Sequence, residues 1–403
     1  MTLSVRPTPY IIPAYSLTGD LLAYLRCGLQ YRYQHRGTLP PSKPVQRWFG
    51  EFLHGVMEET YRQWAVAPLS FPVSDLYLLS IEQLVIDRLG ARGIWPRNLA
   101  ICDLQARKTG AIVNDLAHRR ARASVNVWGP NLFPLIAQAE VRLKGIREMP
   151  GATPAPRADY YEVQGIVDVL TSVELATADP NNRLLQELQA DQIVARALGQ
   201  VIARQNTANS SKCEVIVDYK GMRRPSNIDD PTSEHIYWQI LTYAWLRTQQ
   251  PGSSPVIGGV LLFLNELEPS RDDMEELCNE LFGQGAPRTD VIPLGTDLAD
   301  LRTWHTNKHK GVPPLLSLDY RLRRSIRVVP VSPAGVQQSL LEFDRTVAEI
   351  EASIAQETAG RLLTACWRNR QAAVPDPKDQ TCAVCDFRTY CPASPRKGAP
   401  LAP

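Results

Sequence analysis

The sequence predicts an α/β protein. Residues 130–143, 160–170 and 213–219 alternate β-branched with polar residues as strands do, and 256–264 is an apolar run of strand length. Stretches with apolar residues at helical spacing lie before, between and after them. The chain has 403 residues, 44% hydrophobic and 21% charged, which suffices for a large buried core. That composition excludes collagen-like and wholly disordered classes.

The N-terminal residues MTLSVRPTPYIIPAYS are broken by prolines and lack a continuous apolar core. They do not read as a secretory signal, and the expected location is cytoplasmic. Residues 18–36, with Leu21, Leu25, Leu29 and Tyr33 at helical spacing, predict a first helix carrying Cys27. The break LPPSKP follows, then a second helix over 46–64 with His54 in its middle. Residues 74–123 are helical and form an accessory lobe.

After the strands at 130–143 and 160–170, an amphipathic stretch over 182–204 reads as a helix inserted before the strand at 213–219. Asp230-Pro231 is a helix start running through Leu246. The run Val256 to Leu264 is a buried strand, too short to cross a bilayer, so no membrane span is expected. Residues 334–367 form one long helix, and the tail from Pro392 is frayed. The organisation expected is N-terminal helices over 1–64, a helical lobe over 65–129, a core over 130–330, a C-terminal helix with its cysteine segment over 331–391, and a tail over 392–403. There are no internal repeats, and the absence of G-x-x-x-x-G-K-[ST] excludes an ATP-driven motor.

The net charge is +2, with 44 basic residues of which nine are lysines. The arginine excess suits phosphate and base edges, and arginines cluster at Arg119, Arg120 and Arg122, at Arg223 and Arg224, and at Arg321, Arg323, Arg324 and Arg327. Each cluster taken alone is more often a solvated face. Of eight cysteines, Cys102, Cys213, Cys278 and Cys366 are scattered and read as small buried hydrophobes without a role. Cys382, Cys385 and Cys391 instead form a tight C-x2-C-x5-C run.

The chemistry concentrates in CEVIVDYKG, residues 213–221. Strand alternation sets Val215, Val217 and Tyr219 on one side and Ile216, Asp218 and Lys220 on the other. Asp218 can hold a hard divalent cation, and Lys220 can orient a water or stabilise charge developing on a phosphate. The competing reading is a surface Asp/Lys pair on an edge strand. In GIVDVL, Asp168 sits among apolar residues, where a carboxylate needs a partner. A cation shared with Asp218 supplies one, and an arginine would be the alternative. Glu140 in AEVRLKG adds a further acid or supports the ligands. His54 is a nitrogen donor suited to a manganese or magnesium site, or else a structural histidine. Gln239 and Tyr243 stand at i and i+4 on one helix face.

In order, Cys27 in YLRCGLQYRY, His54 in FLHG, Asp168 in GIVD, Asp218 and Lys220 in VDYKG, Gln239 and Tyr243 in Q-x-x-x-Y, and Cys382, Cys385 and Cys391 resemble the RecB-type nucleases of the PD-(D/E)XK superfamily. The resemblance is to the iron-sulfur branch that includes the CRISPR-associated exonuclease and the AddB subunit of a helicase-nuclease. It implies a restriction-endonuclease-like core with a mixed central sheet, flanking helices and a helical accessory lobe. His54, Asp168 and Asp218 would then ligate Mg2+ or Mn2+, Lys220 would be catalytic, and Gln239 with Tyr243 would support the site and contact DNA. Cys27, Cys382, Cys385 and Cys391 would hold a [4Fe-4S] cluster. The sequence departs from the family at Gly28, where proline is frequent, and in the widened interval between Asp168 and Asp218.

Four thiolates also suit a structural zinc, although the one-plus-three spacing favours iron-sulfur. Joining Cys27 to Cys382 would clip the chain's ends together, so the cluster reads as a structural staple. The expected activity is hydrolysis of DNA phosphodiesters, as an exonuclease on single-stranded or frayed DNA, in repair or antiviral defence. Arg223 and Arg224 are candidate DNA contacts. The alternative is a non-motor DNA-binding or scaffold subunit beside a helicase or a CRISPR-adaptation partner.

Overall fold

The computed structural model describes residues 12–36, 45–94, 104–151, 153–154, 156–174, 178–205, 212–226, 231–369, 382, 385, 387–388 and 391–393. The described residues form one seven-stranded mixed sheet: β1 (Ala14–Ser16), β2 (Ile136–Glu148), β3 (Tyr160–Thr171), β4 (Val173–Glu174), β5 (Lys212–Lys220), β6 (Val256–Phe263) and β7 (Ile326–Pro330). The main path runs β1-β3-β5-β6-β7, with β2 on β3 and β4 on β5. β1 and β3 are parallel, as are β5 and β6, while β2–β3, β3–β5 and β6–β7 are antiparallel.

The alternation read from 213–219 holds. Val215, Val217 and Tyr219 enter one apolar cluster and Ile216 the other, on the opposite face of the sheet. β5 is therefore a central strand buried on both faces, which excludes the edge-strand reading of its Asp and Lys. Each such valine or isoleucine contributes about 1.5–3 kcal/mol through burial. The first face is covered by α3 (Val45–Val66), α4 (Asp75–Ala91) and α5 (Leu104–Leu132), and near β6 by α6 (Arg183–Ala190) and α7 (Gln192–Gln205). The second is covered by α8 (Pro231–Thr248), which joins β5 to β6, by α12 (Pro333–Thr358), and by the short helices α1 (Leu22–Arg26), α2 (Gly28–Arg36) and α13 (Leu363–Cys366). α9 (Arg271–Phe282), α10 (Gly295–Thr306) and α11 (Leu318–Ser325) surround a small third cluster of their own.

Several boundaries differ from the sequence reading for local reasons. The expected strand at 130–143 begins only at Ile136, because α5 continues through Pro130. Phe133 packs on Tyr61, Trp64 and Phe71 at 5.7–5.9 Å, so tertiary packing overrides the strand pattern. The helix at 182–204 is two helices, parted at Asp191, whose Oδ1 caps α7 by accepting from Ile193 and Val194 N–H at 2.9 and 3.0 Å. The helix at 18–36 breaks at the extended Cys27, and Leu29 N–H donates to Arg368 O at 3.2 Å. The helix at 334–367 stops at Thr358, followed by Gly360 in the left-handed region. Asp230, Cys102 and most of the tail lie outside the described residues. No described helix is long and apolar enough to cross a membrane.

Candidate active site

The two central acids meet because the β3–β5 ladder ends early. Its pairs are Leu170↔Ile216 and Val169↔Val217, and one residue further along each strand stand Asp168 and Asp218. Beyond the last pair, the Tyr219 N–H donates to Asp168 Oδ2 at 2.7 Å. On the other side of β3, Glu140 falls between the pairs Ala139↔Val169 and Val141↔Val167, opposite Asp168. Its φ of 53° is left-handed, uncommon for a residue with a Cβ and local to this site.

Helix α3 crosses the end of β5 at a pair of glycines. A Cβ on Gly221 would stand 2.9 Å from Gly50 Cα, so only glycine permits this approach. The crossing brings His54 Nδ1 to 3.4 Å from Asp168 Oδ2, with the ring edge-on to Tyr219. From the other face, α8 supplies Gln239 and Tyr243. Gln239 Nε2 donates to Asp218 Oδ1 and to Tyr243 Oη, each at 3.0 Å, and Gln239 Oε1 accepts from Lys220 Nζ at 2.8 Å. Lys220 Nζ also lies 2.6 Å from Asp218 Oδ2. Asp218 is buried, and the ammonium is set directly against this carboxylate oxygen.

The charges are set by this crowding. Burial works to lower the His54 pKa, but the Asp168 carboxylate outweighs it and holds the imidazole raised. Burial works the other way on Asp168, yet His54, the Tyr219 N–H and Lys220 keep it low. Burial, reinforced by the charge of Asp168, raises Asp218 against the pull of Lys220. Burial, then Asp168 and Glu58, push Glu140 up to about 7. Two carboxylates, a third alongside and an imidazole fit a hard divalent cation of the Mg2+ or Mn2+ kind.

These groups line a cavity of about 540 Å3. Its wall includes Arg47, Arg88 and Arg92 from α3 and the end of α4, paired with Glu51 and Glu59 at 2.7–2.8 Å yet substantially exposed. Sequence reading did not single out these cations, although Arg88 and Arg92 stand four residues apart. Four of the nine arginines it did single out, Arg120, Arg224, Arg324 and Arg327, are buried inside the protein. Arg224 is buried on Asp290 and on the Arg324 and Ile326 carbonyls. Arg223 pairs with Glu280 and with Glu276 at 3.7 Å. Neither is among the described residues that line the cavity. Arg120, Arg324 and Arg327 are likewise buried, on Asp273, Glu266 and Asp290. They are internal ion pairs and neither solvated faces nor a nucleic-acid track.

The cysteines separate as their spacing suggests. Cys213, Cys278 and Cys366 are buried. Cys27, Cys385 and Cys391 pack on the same apolar cluster although they come from opposite ends of the chain. Tyr33, one ring-to-ring contact from Phe387 at 5.4 Å, has its phenol raised by burial and by the charges of Cys391, Cys27 and Cys385 together. Cys382 joins this set through the turn in which the Cys385 N–H approaches its carbonyl at 3.4 Å.

Comparison with known families gives a match to the PD-(D/E)XK nuclease superfamily over residues 19–177 and 207–392. The matched segments contain Glu140, Asp168, Asp218, Lys220, His54 and Cys27, Cys382, Cys385 and Cys391. The mixed sheet with helices on both faces is the restriction-endonuclease-like architecture of that superfamily. No curated protein matches the chain.

Proposed function

The chain belongs to the PD-(D/E)XK nuclease superfamily, and we propose that it is a metal-dependent deoxyribonuclease of the RecB type, an exonuclease on single-stranded or frayed DNA. The observation that carries this reading is the position of Asp168 and Asp218, one step beyond the last β3–β5 pair, with Lys220 beside them. A Mg2+ or Mn2+ ion held by Asp168, Asp218 and His54 would supply Lewis acidity toward the scissile phosphate. Lys220, held by Gln239 Oε1, can orient the attacking water and stabilise charge developing on the phosphate. Glu140, with a pKa pushed up to about 7, can take the proton that the water sheds. Arg47, Arg88 and Arg92 offer cations to neighbouring phosphates.

The convergence of Cys27, Cys385 and Cys391 on Tyr33 supports a structural [4Fe-4S] cluster completed by Cys382, and with it the iron-sulfur branch. That kinship suggests work beside a helicase or a CRISPR-adaptation complex, in repair or antiviral defence. The decisive assay uses an end-labelled single strand with Mg2+ or Mn2+. Cleavage by the wild type and none by Lys220→Ala is expected. Undiminished cleavage by Lys220→Ala would overturn the site, and an inactive wild type would make the protein a DNA-binding scaffold subunit.

A further inference from the structure

The small unit built from α9, α10 and α11 has its own apolar cluster of Met274, Leu277, Cys278, Leu281, Leu301, Trp304, Leu316 and Tyr320. At the edge of that cluster lies a group of soft donors that the nuclease chemistry does not use. Cys278 is fully buried on α9, and His305 and His309 are half-buried at the end of α10 and in the turn beyond it. One ligand atom from each of the three residues lies within 4.8 Å of the others. His305 Nδ1 and His309 Nε2 are 3.1 Å apart.

That spacing is informative. Two nitrogens on one tetrahedral zinc, each at about 2.0–2.1 Å, stand about 3.3 Å apart. The pair therefore needs a shift of tenths of an ångström to grip an ion. The backbone is also bent to bring the second imidazole round. Lys308 and His309 both have left-handed φ, 54° and 58°, a conformation that residues with a Cβ adopt at a cost and that clusters at ligand clamps. The bend is held by the Lys308 and His309 N–H groups donating to His305 O and Trp304 O at 2.9 and 3.0 Å. It is held too by Arg271, which donates to Gly311 O at 2.9 Å and to His309 O. Trp304 and Phe282 flank the imidazoles at 4.6 and 5.3 Å between ring centroids, a wall that limits their rotation.

We propose that Cys278, His305 and His309 form a zinc site, separate from the nuclease centre, that staples α9 to α10 and fixes the connection leading to α11. One thiolate and two imidazoles are the ligand types zinc prefers, and water completes the tetrahedron. Ligation by Cys278 displaces its thiol proton. Arg271 and Arg302, over the rings of Trp304 and Phe282, oppose a further cation, and the thiolate formed on binding offsets one positive charge.

The test uses the full chain, stripped by a chelator and titrated with Co2+ and with Zn2+. A sulfur-to-cobalt charge-transfer band is expected. No thiol is among the described residues that line the nuclease cavity, so metal bound there adds nothing to this band. Thiols of the C-terminal segment contribute a part that does not depend on these histidines. His309→Gln and His305→Gln should each remove the histidine-dependent part and one equivalent of bound zinc, and abolish the rise in melting temperature that zinc gives the wild type. Cys278→Ser should do the same, and if it fails to fold the two histidine variants carry the experiment. Identical band, zinc content and zinc-induced stabilisation in the wild type and both histidine variants would overturn the proposal.

Discussion

Gln239 and Lys220 are joined end to end: the amide oxygen of Gln239 accepts from the lysine ammonium at 2.8 Å. The same amide's nitrogen holds Asp218 and Tyr243. One side chain thus fixes the directions of three others, and it is itself buried, so its geometry is set by packing. Gln239→Ala should lower kcat by about 10–100-fold, the usual cost of losing a group that orients ligands. KM for DNA should hardly change. A larger effect on KM than on kcat, read from steady-state cleavage, would show that Gln239 acts by binding substrate.

Gly165 lies under the same assembly. A Cβ there would stand 2.5 Å from the Tyr243 ring, which is only 2% exposed and cannot swing away. Gly165→Ala should destabilise the fold by about 1–3 kcal/mol, as overpacking does. Activity should fall further than Tyr243→Phe lowers it, because the displaced ring carries Gln239 with it. Thermal melts and kcat of the two variants check this.

Glu140 makes the metal-free protein sensitive to alkali. Its folded-state pKa of about 7 lies above the 4.5 of an unperturbed glutamate. Below 4.5 both states hold the proton and no penalty exists. Stability falls as pH rises from there, and the loss is complete above about 7. Glu140 lines the cavity yet is open to solvent, so screening reduces the effect to about 1 kcal/mol. Glu140→Gln should therefore raise the melting temperature of chelator-treated protein at pH 8 and leave it unchanged at pH 4. Mg2+ should narrow the difference at pH 8.

Arg88 and Arg92 belong to the wall of the cavity, with side chains 43% and 55% exposed. Replacing both with alanine should weaken single-strand binding without lowering kcat. The slope of log affinity against log salt should fall by about 0.7 for each phosphate that is no longer neutralised. Arg224→Ala should instead unfold or destabilise the protein, since it leaves Asp290 with Arg327 alone and removes the donor to two backbone carbonyls.

Cys385→Ser should abolish the absorbance of an iron-sulfur chromophore in anaerobically purified protein and lower its melting temperature. Zinc in place of iron in the wild type would identify the alternative occupant of the four thiols.

Much of the site was legible because its acids sit on strands with strong alternation. The sequence 213–219 specifies a two-faced buried strand, and its acid and amine follow from position alone. The burial of Arg224 and Arg324 was not legible, because charge in sequence does not tell burial: they find their acids 66 and 58 residues away. The cations of the cavity went unnoticed because Arg88 and Arg92 sit in an unremarkable amphipathic helix and acquire a role only when α4 packs on α3. Cys278 looked inert for the same reason, since its histidines are some thirty residues distant and meet it only through a left-handed turn.

The docking of the first helices has a bearing on synthesis. Tyr24 and Tyr31 rest on Trp367, Arg32 pairs with Glu357, and Leu29 bonds to Arg368. Residues 24–32 thus find their seat only when residues 357–368 have left the ribosome. A prematurely terminated product would carry an intact VDYK strand but an unmoored beginning. Synthesis through Arg368 is in this way written into the architecture as a condition for its closure.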